Sequence, residues 1–124
     1  MSTHFHLVLD VPGETLQRGM QDLNWAYARR FNARHGRKGH LVGERYDCVP
    51  VTTNRQMLRT FRYVARNPVK AGLCENTADW YWSSYADCAW YGETFGFVDH
   101  SRMRSYFGPR REDAVEFLRA FVEI

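Results

Sequence analysis

Cysteine is scarce and cannot form a framework: Cys48, Cys74 and Cys88 are odd in number, far apart, and include no Cys-x-x-Cys pair. That pattern excludes a disulfide scaffold and a cysteine zinc site, and the three read as reduced, mostly structural thiols. Long apolar runs are also missing. None approaches the roughly 18 residues needed to span a bilayer, and the start of the chain lacks a cationic stretch followed by an apolar block. No membrane segment or secretory signal is expected, and a cytoplasmic location is. The most telling absence is local. Between Asn54 and Leu73 there is no acidic residue, while Arg55, Arg59, Arg62, Arg66 and Lys70 all fall there.

What is present bears on that gap. The 124 residues, 44% hydrophobic and 25% charged, suit one globular domain able to bury a core. The formal charge of +3 is modest but unevenly spread. Residues 29 to 45 hold Arg29, Arg30, Arg34, Arg37, Lys38 and Arg45 against Glu44 alone, whereas the acids gather at 75 to 99 and 112 to 123. Such asymmetry points to a polyanionic partner.

Hydropathy spacing predicts the elements. His4 to Asp10 alternates as a strand, with Phe5, Leu7 and Leu9 on one side and His4, His6 and Val8 on the other. Leu16, Met20, Leu23, Tyr27 and Phe31 recur at helical spacing from Thr15 to about His35, and Gly36 follows as a stop. Leu41-Val42 and Arg45 to Val51 read as a strand pair with Pro50 near an edge. A second helix is expected over 54 to 67, with Pro68 opposing its continuation except for a turn before Gly72. A short element at 101 to 107 and a helix from about Glu112 to Val122 close the chain. The aromatic segment 79 to 92, around Trp82-Ser83-Ser84-Tyr85, reads as a hydrophobic latch over the core in preference to a base-stacking platform.

The 54 to 67 helix, at about 100° per residue, sorts into three sectors. Met57, Leu58, Phe61, Val64 and Ala65 face a core; Arg55, Arg59, Arg62 and Arg66 form a stripe; Gln56, Thr60, Tyr63 and Asn67 occupy the shoulder between them. Tyr63 and Asn67, one turn apart, project together, as a nucleophile and a metal ligand acting on one phosphate must. His4 and His6 share a strand face and are close enough to bind one cation. A cation polarising a phosphate, with arginines nearby, would assist a phenol whose reference pKa of about 10 makes it a poor nucleophile. Each part taken singly has a plainer meaning: His-x-His as a surface pair, a helix tyrosine as packing, four arginines as a solvated face. The combination is the specific signal. A small zinc hydrolase built on His-x-His lacks a third strong ligand, since Asp10 lies farther along the strand and His40 and His100 have no indicative spacing.

In chain order, His4-Phe5-His6-Leu-Val-Leu, Tyr27-Ala-Arg-Arg-Phe-Asn-Ala-Arg, Gly39-His-Leu-Val-Gly-Glu-Arg-Tyr, Tyr63-Val-Ala-Arg-Asn-Pro-Val-Lys-Ala-Gly-Leu and Trp82-Ser-Ser-Tyr resemble the REP-associated tyrosine transposases, single-tyrosine members of the HUH nuclease superfamily. The likeness covers essentially the whole chain. It implies an α+β fold: an antiparallel sheet with flanking helices, ferredoxin-like, in a single domain over 1–124 whose 1–73 part is catalytic and whose 74–124 part holds the aromatic segment and closing helices. It further implies that Tyr63 attacks a phosphodiester of single-stranded DNA to give a 5′-phosphotyrosine, with His4, His6 and Asn67 holding Mg²⁺ or Mn²⁺, and that hairpin DNA is recognised beside the cut. The basic residues Arg29 to Arg45 and the arginine stripe are the candidate backbone contacts. Family members carry a strand and a helix ahead of the histidine strand, so a truncated or mis-started chain is expected here, with homodimerisation favoured by the unpaired sheet edge. A non-catalytic nucleic-acid-binding remnant is the alternative function.

Overall fold

Residues 3 to 124 are described, in a computed structural model of the chain. They fall into two compact units, Leu7–Val49 on the one hand and, on the other, the residues up to His6 together with Pro50–Ile124.

The Leu7–Val49 unit is built on α1, Thr15–His35. Its apolar spacing acts as expected only in part: Met20 is buried and Leu16 and Phe31 half-buried, but Leu23 and Tyr27 stay exposed. The helix ends where the sequence predicts. Gly36 takes φ 61°, a left-handed conformation that costs glycine no Cβ clash, and its N–H returns to the Asn32 carbonyl. Leu7, Leu9 and Val11 line an open apolar groove of about 220 Å³ with Leu16, Gly19, Met20 and Leu23 of α1.

The second unit is helical. Helix α2, Asn54–Lys70, starts at Thr53, whose hydroxyl accepts from the Gln56 N–H at 3.2 Å. Gln56 in turn donates to the Pro50 carbonyl at 2.9 Å and accepts from the Thr52 N–H at 3.0 Å, fixing the entry of the chain. Pro68 does not end α2. It removes one donor in the last turn, yet the helix runs through to Lys70 with Pro68 buried, and the Asn67 and Pro68 carbonyls still accept from the Ala71 and Leu73 N–H groups at 2.9 Å. A 3₁₀ turn at Thr77–Asp79 follows. Then come α3, Ser84–Ala86, which runs into a π turn at Asp87–Tyr91; α4, His100–Ser105; and α5, Arg111–Glu123. Ala65, Tyr85, Cys88, Ala89, Met103, Leu118 and Val122 form the core, with Phe61, Phe107 and Phe121 packed on it.

Two polar networks hold this packing together. Asp87, wholly buried, accepts from the Thr94 N–H and hydroxyl (2.7 and 2.6 Å), the Phe95 N–H (3.0 Å) and His100 Nε2 (2.7 Å). Burial by itself pushes its carboxyl up, but these donors together hold it below the ordinary carboxylate value. Glu123 accepts from the Tyr85 hydroxyl at 2.6 Å and from the Thr77 hydroxyl, and burial followed by that bond pushes Tyr85 up to about 12.

The antiparallel sheet expected from the sequence is not there: among the described residues no strand forms, and the α+β assignment is corrected to helical. The physical reason is partnership. Alternation over His4 to Asp10 can produce a strand only if a second segment completes its ladder, and the turn and loop backbone bonds include none that link this segment to residues 41 to 51. Phe5, Leu7 and Leu9 accordingly remain half exposed. Gly39, Gly43 and Pro50 further dilute any ladder over the second region. The aromatic segment divides: Tyr85 enters the core as a latch, whereas Trp82 is 75% exposed.

Candidate active site on helix α2

Helical periodicity sets the face of the site. Ala65 and Pro68 are buried and Phe61 packs on the core, which turns Tyr63 outward, at 50% exposure. At about 100° per residue, Asn67 lies roughly 40° to one side of Tyr63 and Lys70 roughly 20° to the other, so the three share one stripe.

The histidine segment meets this stripe. Asn67 Nδ2 stands 2.8 Å from His6 Nε2, linking side chains 61 positions apart. The His6 ring meets the Tyr63 ring edge-on, with centroids 5.5 Å apart and planes at 80°. His4 meets His6 in the same way, at 5.1 Å and 87°, and its Nδ1 is 3.1 Å from the Thr3 hydroxyl. Burial first, and the neighbouring His4 second, lower the His6 pKa from its ordinary value and favour neutral imidazole, the form that binds metals. Lys70 Nζ lies 5.6 Å from the centre of the Tyr63 ring.

Two imidazoles and an amide offer nitrogen and oxygen donors to a divalent cation. His6 Nε2 and the Asn67 amide stand 2.8 Å apart, and with His4 they are the residues that would hold such a cation. No group of three or more His, Cys, Asp or Glu side chains able to hold a metal occurs among the described residues, and the set here is two imidazoles and an amide.

The arginine stripe is divided by the packing. Arg55 and Arg59 are exposed. Arg62 is half-buried, its guanidinium 5.7 Å from the centre of the Phe121 ring, and Arg66 donates from Nη1 to the Val122 carbonyl at 3.0 Å. The latter is a cation on the C-terminal carbonyls of α5, where the helix dipole favours it. In the other unit Arg30, Arg34, Lys38 and Arg45 are exposed, Arg29 lies over Trp25 at 5.2 Å and Arg37 over Phe31 at 5.9 Å. Lys70 is the residue that sequence reasoning left off the candidate site. Its signal was the seven-residue interval from Tyr63, two helical turns on one face.

Comparison with protein-family models, with curated proteins and with solved structures finds no match to this chain.

Proposed function

We propose that this chain cleaves and rejoins single-stranded, hairpin-flanked DNA through a 5′-phosphotyrosine on Tyr63, the chemistry of strand transfer in DNA transposition, carried out in the cytoplasm. The observation that carries this reading is the convergence of His6, Asn67 and Tyr63: a 2.8 Å contact and a 5.5 Å ring pair between an N-terminal segment and one stripe of α2. Core packing does not require it, because Tyr63 is half exposed and His4 exposed.

In this mechanism the Tyr63 hydroxyl gives up its proton as its oxygen attacks the scissile phosphorus, the bond from phosphorus to the 3′-oxygen breaks, and that oxygen takes up a proton to leave as a free hydroxyl. Rejoining is the reverse, so no nucleotide cofactor is consumed. His4, His6 and Asn67 would hold Mg²⁺ or Mn²⁺, which when bound supplies Lewis-acid polarisation of the phosphate. The exposed Arg55 and Arg59 attract the DNA backbone.

A non-catalytic DNA-binding module is the second reading, favoured by one observation: no ladder among the described residues braces the histidine segment, so its alignment depends on Asn67. One experiment separates the two. Incubating the protein with a labelled single-stranded hairpin and Mn²⁺ should give a denaturant-resistant protein–DNA adduct that Tyr63→Phe abolishes. An adduct of equal yield in Tyr63→Phe rejects Tyr63 as nucleophile, and salt-sensitive hairpin binding without any adduct establishes the binding module instead.

A further inference from the structure

We infer that Lys70 is a phosphate-gripping residue of the same site, its ammonium holding a non-bridging oxygen of the phosphate that Tyr63 attacks; the inference rests on the phosphotyrosine reading. Lys70 ends α2 two turns beyond Tyr63, and a helical side chain leans toward the N-terminus, so its long stem carries the charge back along the stripe. That is where the ammonium is found, 5.6 Å from the centre of the Tyr63 ring.

Three observations distinguish Lys70 from the other cations of α2. It is exposed, and no carboxylate among the described residues pairs with it. Arg62 and Arg66 are instead engaged by Phe121 and the Val122 carbonyl of α5. Arg59 is exposed, but among the described residues only Lys70 holds its charge over the phenol. A cation over an exposed aromatic face is weakly held, so the ammonium can exchange the ring for an incoming phosphate. The pentacoordinate transition state gathers negative charge on the non-bridging oxygens as the Tyr63 oxygen adds and the 3′-oxygen departs. Lys70 stands beside the nucleophile, and His6 meets the same stripe of α2 through Tyr63 and Asn67.

The test measures single-turnover adduct formation at saturating hairpin DNA and Mn²⁺, for wild type, Lys70→Gln and Lys70→Arg. Because Lys70 is exposed, its variants should keep wild-type circular dichroism and thermal midpoint. Lys70→Gln should slow adduct formation about 10- to 100-fold, below the effect of losing a fully enclosed oxyanion donor, and Lys70→Arg should restore most of the rate. A methylphosphonate at the scissile position removes the charge that Lys70 grips, so there the Lys70→Gln penalty should shrink to about two-fold or less. A penalty undiminished on that neutral substrate, or a wild-type rate in Lys70→Gln, overturns the role of Lys70 while leaving Tyr63 chemistry standing. A wild-type chain that forms no adduct overturns the cleavage reading and this inference together.

Discussion

Replacing Asn67 with alanine separates two contributions of one side chain. The first is the hydrogen bond to His6 at 2.8 Å, which joins the histidine segment to α2. Both partners are half-buried, so the net value of such a bond is about 0.5–1.5 kcal/mol. Alanine is a better helix former than asparagine by up to about 0.7 kcal/mol, which offsets much of that loss. Urea unfolding should therefore report a change of about 1 kcal/mol or less, with the helical circular dichroism intact. The second, which rests on the proposed function, is to the cation site, where one of three ligands would be lost. Loss of even a supporting residue around a metal lowers affinity about 10–100-fold, and loss of a ligand should do at least as much. Mn²⁺ affinity, measured by calorimetry or water-proton relaxation, should fall accordingly, and Asn67→Asp should recover it by restoring an oxygen ligand. A folded Asn67→Ala that binds Mn²⁺ as tightly as wild type overturns the ligand role of Asn67.

Two further outcomes test the packing that presents this stripe. Glu123→Ala strands the buried hydroxyls of Tyr85 and Thr77 and should destabilise by about 2–4 kcal/mol; in a urea-unfolding cycle with Tyr85→Phe the costs should fall short of additive by about 1 kcal/mol, and additivity within about 0.3–0.5 kcal/mol counts against the network. Asp87 titrates lower folded than unfolded, so its stabilisation is fully present above the unfolded value of about 3.9 and fades as pH falls through the depressed folded one. The difference in thermal midpoint between wild type and Asp87→Asn should therefore narrow below about pH 4, and a gap unchanged into strong acid refutes the assignment.

Helix limits were largely readable from residues alone, because helical hydrogen bonds close within four positions. The spacing from Leu16 to Phe31 with Gly36 beyond it specifies α1, and the same local periodicity puts Tyr63, Asn67 and Lys70 on one stripe of α2. Everything that depends on a distant partner was decided by tertiary structure. Alternation at His4 to Asp10 could not say whether a second segment would complete a ladder, and among the described residues none does. Pro68 reads locally as a stop, yet in the packed chain it is buried and α2 runs on to Lys70. The four arginines form one stripe in projection, and only the packing of α5 shows that Arg62 and Arg66 are engaged by Phe121 and Val122 while Arg55 and Arg59 are left to solvent. The contact between His6 and Asn67 belongs to the same class: its residue types follow from the sequence, but a 2.8 Å approach across 61 positions exists only once the chain has packed.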